Sequence, residues 1–235
     1  MLKALRNSRK RWLTLPMRLR IPILILVHGA IFGVLLGIEV RFGDDYHDRM
    51  RDVLDFAEDK FIPIEFFREM GTLHATVFGG LLVYLLAKKR RRLIPIFLAG
   101  VMAAAVTSQV LRPTLARERP KYTNAETSFQ TPFTVDSPSL PSGHATVSMA
   151  NATGLAFLVP QAAPIWYFGA VMCGMSRVET NAHFVSDVYL GFLVGYFMTN
   201  GTIWVIRRKV RLHEPGEEAL DDTVTLPTGS VASAA

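Results

Sequence analysis

The chain alternates between long apolar stretches and shorter polar or charged ones. The apolar stretches lie at residues 21–40, 72–87, 93–111, 144–159, 165–175 and 183–206. A helix needs about 20 apolar residues to cross the hydrocarbon core of a bilayer, so this pattern is typical of a polytopic membrane protein. We therefore predict an all-α membrane protein with six transmembrane helices. The fourth and fifth helices are short, and we expect them to be tilted or completed by flanking polar residues.

Residues 41–70 differ from the apolar stretches on either side. They include nine acidic and five basic residues, and the apolar residues among them, such as Val53, Leu54 and Phe61, have a partly helical spacing. Pro63 interrupts this pattern. We predict one or two amphipathic helices that lie at the outer membrane interface between the first two spans. An ordinary solvated loop is the alternative interpretation.

Basic residues cluster on one side of the predicted bundle. Seven Lys and Arg residues lie within 1–20, five within 88–92 and four within 207–211, and the formal net charge is +6. Basic flanks of membrane helices stay in the cytoplasm, so this distribution predicts a multi-pass protein of the cytoplasmic membrane with both termini inside. The basic clusters are not interleaved with exposed aromatic residues, which argues against a nucleic-acid partner.

The same pattern divides the chain into three parts. A basic cytoplasmic tail at 1–20 precedes the membrane domain at 21–211, and a tail at 212–235 follows. The last tail is acidic and then rich in Ser and Ala, so we predict that it is disordered. We expect no cleavable signal peptide, and we interpret the single cysteine, Cys173, as a packing residue inside an apolar stretch.

The polar loop that follows the third span begins with a cluster of arginines. Arg112 and Arg119 are seven positions apart, so in a continuous helix they would share a face, and Arg117 lies between them. Guanidinium groups bind phosphate oxygens through two parallel hydrogen bonds. The cluster is therefore a candidate phosphate-binding segment, and contact of these arginines with lipid headgroups is the alternative.

The fourth span begins with Pro-Ser-Gly-His at positions 141–144. Unpaired backbone N–H groups and the positive end of the helix dipole attract anions to a helix start. Ser142 adds a hydroxyl, Gly143 allows close approach of the backbone, and His144 can exchange a proton near neutral pH. The alternative interpretation is a simple helix cap, with Ser142 or Asp136 closing the turn.

The last outer turn and the start of the sixth span contain Ser176, Arg177, His183 and Asp187. Residues four apart in a helix lie on one face, so Asp187 can reach the His183 ring. A carboxylate that holds one ring nitrogen leaves the other free as a nucleophile or base. A satisfied polar pair in a membrane helix is the alternative, although ionisable residues at membrane depth are usually functional.

The predicted topology brings these three segments to the same membrane face. Arginines, a helix start, two histidines and an aspartate together describe a phosphate pocket with acid–base groups. His144, His183 and Asp187 are also possible metal ligands. Adjacent guanidinium charges would repel a divalent cation, and so we predict a site without metal or cofactor.

The three segments together resemble the signature of the type 2 phosphatidic acid phosphatase superfamily, which also includes soluble acid phosphatases and vanadium haloperoxidases. Its pattern is K-x6-RP, then PSGH, then SR-x5-H-x3-D. The second and third parts match completely. The first part matches at Arg119-Pro120 but has Arg112 in place of lysine, and Asn181 stands where many members have glycine. The signature covers residues 112–187, and the six-span layout extends the resemblance over roughly 20–211.

This resemblance implies roles for the matching residues. His183 would be the nucleophile that forms a phosphohistidine, Asp187 would orient its ring, and His144 would protonate the leaving oxygen and then activate water. Phosphoryl oxygens would be bound by Arg112, Arg119, Arg177, Ser142 and Gly143. The implied activity is that of a metal-independent phosphatase acting at the outer face of the bilayer.

The resemblance also limits the substrates and the competing functions. The substrates implied are undecaprenyl diphosphate, phosphatidylglycerol phosphate and phosphatidate. A lipid phosphotransferase and a non-catalytic phospholipid-binding protein are the alternative functions, and a haloperoxidase is disfavoured because those members are soluble. The sequence does not choose among the three lipids and does not specify an oligomeric state.

Overall fold

The structure of the chain is a computed structural model that describes residues 17–60, 64–124 and 126–213. Its long helices are α1 (Met17–Lys60), α2 (Leu73–Leu86), α3 (Ile94–Leu115), α4 (Gly143–Leu158), α5 (Ala163–Glu179) and α6 (Val185–His213). Single-turn or 3-10 segments lie between them at Ile64–Gly71, Lys88–Leu93, Pro120–Thr123 and Pro160–Ala162. The described residues form no strand beyond one isolated bridge, so the predicted all-α class is confirmed.

Three of the described helical stretches are long and apolar enough to cross a membrane. They are Ile21–Gly43 in α1, Lys88–Leu115, which includes α3, and Val185–Lys209 in α6. The other helices are shorter, with 14 residues in α2, 16 in α4 and 17 in α5. The structure thus agrees with a membrane protein, and the count of six spans stays a prediction. Residues 1–16 and 214–235, which make up most of the two predicted tails, lie outside the described residues.

Helix α1 extends well beyond the predicted first span and includes much of the segment predicted to lie at the interface. It kinks at Gly43, which has φ 40° and ψ −118°, at the point where the apolar stretch gives way to the acidic one. Glycine adopts positive φ without a steric cost, so it is suited to this bend. Residues 61–63, including Pro63, lie outside the described residues. The segment is therefore largely helical, as predicted, and its location at a membrane interface stays a prediction.

Helix α4 occupies the centre of the bundle. It packs against α3, α5 and α6, and eleven of its sixteen residues are buried. Many of them are small, such as Ala145, Ser148 and Ala150, and small residues let neighbouring helices approach closely. This central position explains why α4 has neither the length nor the apolar surface of a lipid-facing helix. It also places the start of α4, with His144, inside the protein.

The contact between α4 and α6 is made close by two glycines of α6. A Cβ atom added at Gly191 would lie 2.7 Å from the backbone oxygen of Ser142. At Gly195 it would overlap the backbone oxygen of Thr146. The two helices therefore meet backbone to backbone. This contact fixes the start of α4 against the start of α6, where two of the predicted site segments lie.

We expect Gly195→Ala to destabilise the bundle, because the new methyl group must displace the α4 backbone. The melting temperature in detergent should fall by about 2–10 °C, which corresponds to an overpacking cost of about 1–3 kcal/mol. Gly201→Ala is the matched control, because Gly201 lies in the same helix with no atom within 4 Å of an added Cβ. An equal fall in both variants would contradict the packing argument.

Candidate active site

A cavity of about 240 Å³ lies where the start of α4 meets the end of α3. The residues that line it are Gly71, Ala105, Ser108, Gln109, Arg112, Arg119, Gly143, His144, Val147, Arg177 and His183. Six of the eight predicted site residues are among them, and the other two, Asp187 and Ser142, are buried outside this lining. Three lining residues are arginines and two are histidines, and no carboxylate belongs to the lining. The cavity is therefore chemically suited to an anion.

The first motif does not form one helical face. Helix α3 ends at Leu115, Ala116 adopts the left-handed conformation with φ 45°, and Arg119 lies in extended backbone. The segment from Arg112 to Arg119 is therefore not a continuous helix, and the condition under which the two arginines would share a helical face is not met. The two side chains reach the cavity from different elements, Arg112 from the last turn of α3 and Arg119 from the loop. Arg112 Nη1 donates to Gln109 Oε1 at 3.1 Å, and its Nε is buried without a partner among the described residues.

The second motif forms the start of α4 as predicted. Ser142 is the N-cap, and its Oγ accepts a hydrogen bond from Ala145 N at 3.4 Å. A Cβ at Gly143 would lie 3.3 Å from Arg112 Nη1, so glycine leaves room for the guanidinium beside the helix start. His144 follows and lines the cavity. The cap interpretation of Ser142 thus agrees with the structure, and contact of Ser142 with phosphate stays a prediction.

The third motif places an aspartate behind a histidine. His183 Nδ1 lies 3.7 Å from Asp187 Oδ2, and both side chains are almost fully buried. This distance exceeds that of a hydrogen bond but lies within that of an ion pair. Because Nδ1 faces Asp187 and the residue lines the cavity, Nε2 is the ring atom available to a ligand. Arg177, from the end of α5, lines the same cavity.

Positive charge and burial dominate the electrostatics of the cavity. Burial lowers the pKa of Arg119, and the neighbouring Arg112 charge acts in the same direction. Burial also lowers the pKa of His183, which lies in the turn before α6. Asp187 opposes this shift, whereas Arg119 and Arg177 add to it. His183 is consequently neutral near pH 7, which is the form a nucleophilic imidazole requires.

A comparison with known families agrees with this geometry. The family model described as the PAP2 superfamily matches residues 93–211, just over half of the chain. The chain belongs to the PAP2 superfamily. This match confirms the resemblance predicted from the three motifs, all of which lie within the matched residues. Membership indicates a phosphatase or phosphoester hydrolase, and no solved structure matches the chain.

The turn before the predicted nucleophile has a support that the usual PAP2 pattern does not suggest. Asn181, at the position where many members have glycine, adopts the left-handed conformation with φ 54°, which asparagine tolerates better than most residues. His47 Nε2, from α1, donates to Asn181 Oδ1 at 2.8 Å. Arg51, also from α1, donates to the backbone oxygen of Glu179 at 3.2 Å. The part of α1 that follows the Gly43 kink therefore holds the turn that carries His183.

Sequence reasoning missed two buried charges in this PAP2 site. Arg117 was grouped with the phosphate-binding candidates, but its side chain is fully buried and bonds Asp187 instead of lining the cavity. Glu39 lies inside the predicted first span and bonds Arg117. The signal that points to Glu39 is its presence in a span, because an ionisable residue at membrane depth is costly and by default functional.

His47 provides a pH-dependent test of the support of the turn. Burial lowers the pKa of His47 below its ordinary value of 6.5, so its contribution to stability is complete above about pH 6.5 and is lost as the pH falls further. His47→Gln keeps a donor for Asn181 but cannot titrate. We expect the fall in melting temperature between pH 7.5 and 5.5 to be smaller in this variant by at least about 2 °C. Equal falls in both proteins would contradict the role given to His47.

Proposed function

We propose that this PAP2 member is a membrane phosphatase that hydrolyses a lipid phosphate or diphosphate without a metal, through a phosphohistidine. The observation that carries the proposal is the lining of the cavity, which combines three arginines and two histidines with no carboxylate. Such a lining stabilises the negative charge spread over the oxygens of a phosphoryl group during transfer. A divalent cation would be repelled by the same charges. The described residues include no group of three or more metal-ligating side chains.

The proposed reaction uses the two histidines that line the cavity. His183 Nε2 attacks phosphorus as the bond from phosphorus to the leaving oxygen breaks, and His144 gives its proton to that oxygen. His144 then takes a proton from water while the water oxygen bonds phosphorus and the N–P bond breaks. Asp187 faces Nδ1 of His183 and stabilises the cationic ring of the intermediate.

The location of the cavity supports a lipid substrate. Arg112 lies in the last turn of α3, and His183 lies just before α6 begins, so the cavity sits at one end of two candidate membrane spans. Large apolar side chains such as Leu26, Val77 and Phe168 are exposed on three other helices, as expected for contact with lipid. A phosphate group held at that level leaves its acyl or prenyl chain beside the bundle.

Activity measurements on the purified protein in detergent test the proposal. We expect phosphate release from a panel of phosphatidate, phosphatidylglycerol phosphate and undecaprenyl diphosphate, unaffected by EDTA and inhibited by vanadate. His183→Ala should lower kcat at least about a thousandfold, because the nucleophile is lost. His74→Ala is the matched control, since His74 is an exposed histidine of α2.

Two outcomes would contradict different parts of the proposal. Full activity in His183→Ala would refute the nucleophile, and loss of activity with EDTA that zinc restores would refute the metal-free reaction. Transfer of phosphate to an added alcohol in preference to water would favour a phosphotransferase. Binding of the lipids with no turnover would favour a non-catalytic phospholipid-binding protein.

An outward-facing site can be tested by cysteine labelling. Lys121 is exposed in the turn Pro120–Thr123 on the cavity side, and Lys89 is exposed in the basic segment at the other end of α3. The native Cys173 is fully buried and should not react. In intact cells an impermeant maleimide should label Lys121→Cys, and Lys89→Cys only after permeabilisation, because basic segments stay inside. The reverse pattern would place the site on the cytoplasmic face.

A further inference from the structure

Three charged side chains are buried together behind the cavity. Glu39 of α1, Arg117 of the loop after α3, and Asp187 of α6 are each exposed by 2% or less. Arg117 Nη2 lies 3.0 Å from Glu39 Oε2, and Arg117 Nη1 lies 2.7 Å from Asp187 Oδ1. Burying such charges costs several kcal/mol per ion unless each is paired and hydrogen-bonded. Buried charges are costly in a bundle whose helices can span a membrane, so the presence of these three points to a function.

The hydrogen bonds around Arg117 fix the group rigidly. Its Nη1 also donates to Ser186 Oγ at 2.7 Å, and its Nη2 also donates to Thr127 Oγ1 at 2.9 Å. Ser186 in turn gives both its donors to Glu39, with the backbone N at 2.9 Å from Oε1 and the hydroxyl on Oε2. The guanidinium carbon lies 3.8 Å above the ring of Phe184. Arg117 is therefore held through both Nη atoms and on one face, next to the nucleophile segment, whereas its Nε is buried without a partner among the described residues.

These bonds decide where the carboxylate of Asp187 lies. Oδ1 is occupied by Arg117, and Oδ2 accepts from the backbone N of Phe184 at 2.9 Å. Oδ2 is also the oxygen that faces His183 Nδ1. Rotation of the carboxylate would break the Arg117 bond, so the position of Oδ2 behind the ring depends on Arg117, and that of Arg117 depends on Glu39.

We propose that Arg117 and Glu39 are positioning residues for the His183 nucleophile and act on it through Asp187. This inference rests on the proposed function and extends it to a residue of the first helix. Before the reaction the buried charges alternate as Glu39 negative, Arg117 positive and Asp187 negative. When His183 Nε2 bonds phosphorus, its ring becomes cationic. The charges of Glu39, Arg117, Asp187 and His183 then alternate in sign and sum to zero. The Glu39 carboxylate offsets the positive charge of Arg117, which would otherwise weaken the attraction between Asp187 and the cationic ring. The negative charge of Asp187 therefore still stabilises that ring.

The alternative is that the group only anchors α1 to the bundle. An anchor and a positioning device differ in what their loss changes. Loss of an anchor lowers the fraction of folded enzyme and leaves the pH dependence of each folded molecule as it was. Loss of a positioning charge changes the reaction of correctly folded molecules, including the pH at which they work.

The experiment compares Arg117→Gln, Arg117→Lys and Glu39→Gln in the full-length protein, with the most active lipid phosphate as substrate. We expect Arg117→Gln to lower kcat about 10–100-fold, the range typical of partners that orient an active-site group. KM and inhibition by inorganic phosphate should stay within about twofold of wild type, since Arg112, Arg119 and Arg177 still bind phosphate. Arg117→Lys keeps the charge and should recover part of the lost kcat, and Glu39→Gln should lower kcat less than Arg117→Gln.

The pH profile, measured over the range in which the folded fraction of each variant is constant, separates the two explanations, because a lower folded fraction then scales all rates equally. Among the described residues, the charged and titratable groups that face Asp187 are Arg117, with Glu39 beyond it, together with His183 and Arg119. Without the Arg117 charge, Asp187 takes up a proton more readily. The acid limb of kcat should therefore move to higher pH in Arg117→Gln and stay in place in Arg117→Lys. Asp55→Asn is the control, since it removes an exposed carboxylate of the same helix.

Two further variants keep the test decisive. Ser186→Ala removes one hydroxyl from the group with little change in volume, and we expect a several-fold loss of kcat even if the Arg117 variants do not fold. Asp187→Asn reports on the proposed function itself. If Asp187→Asn loses activity while folded Arg117→Gln, Glu39→Gln and Ser186→Ala keep the wild-type kcat and pH profile, the proposed function stands and this inference is overturned. A fall in kcat that only follows the fraction of folded enzyme, with an unchanged pH profile, also overturns it.

Discussion

Mutual repulsion among guanidinium groups is the constraint that the fold of this PAP2 member must satisfy. Arg112, Arg119 and Arg177 surround one cavity of about 240 Å³, and burial deprives them of part of their hydration. Each is delivered by a different element, so the bundle must hold the end of α3, the following loop and the end of α5 together against this repulsion. A bound phosphate would remove much of the repulsion, so the arrangement of the three arginines favours an anion.

The backbone contact between α4 and α6 supplies that restraint. The glycines of α6 let it meet the α4 backbone, and the backbone N of Ser142 donates to the backbone oxygen of Asp187 at 2.9 Å. That bond joins the second motif to the third. The buried position of α4 therefore matters for chemistry as well as for packing, because it sets the helix start and His144 opposite His183.

The helices and the motif residues could be predicted from the sequence because each leaves a pattern within a short segment of the chain. Apolar stretches predicted α2 to within one residue at each end, and the four-residue spacing brings His183 and Asp187 together, although His183 precedes α6, which begins at Val185 and not at residue 183. The path of the first motif could not be predicted, because Ala116 adopts the left-handed conformation without the glycine that usually signals it. The buried pairing of Glu39 could not be predicted for another reason. One acid hardly changes the hydropathy of a span, and its partners Arg117 and Ser186 lie 78 and 147 positions away in sequence.

The replacement of the motif lysine by Arg112 fits the same site geometry. A guanidinium is broader than an ammonium group, and Gly143 leaves it room beside the start of α4, where an added Cβ would lie 3.3 Å from Nη1. Arg112 Nη1 donates to Gln109, which orients the guanidinium plane, whereas Nε is buried without a partner among the described residues. A buried donor left unpaired costs free energy that a phosphate oxygen would recover. Arginine at this position thus keeps the charge of the lysine and adds a directed donor, so the proposed binding of phosphate would depend on the orientation of the group as well as on its charge.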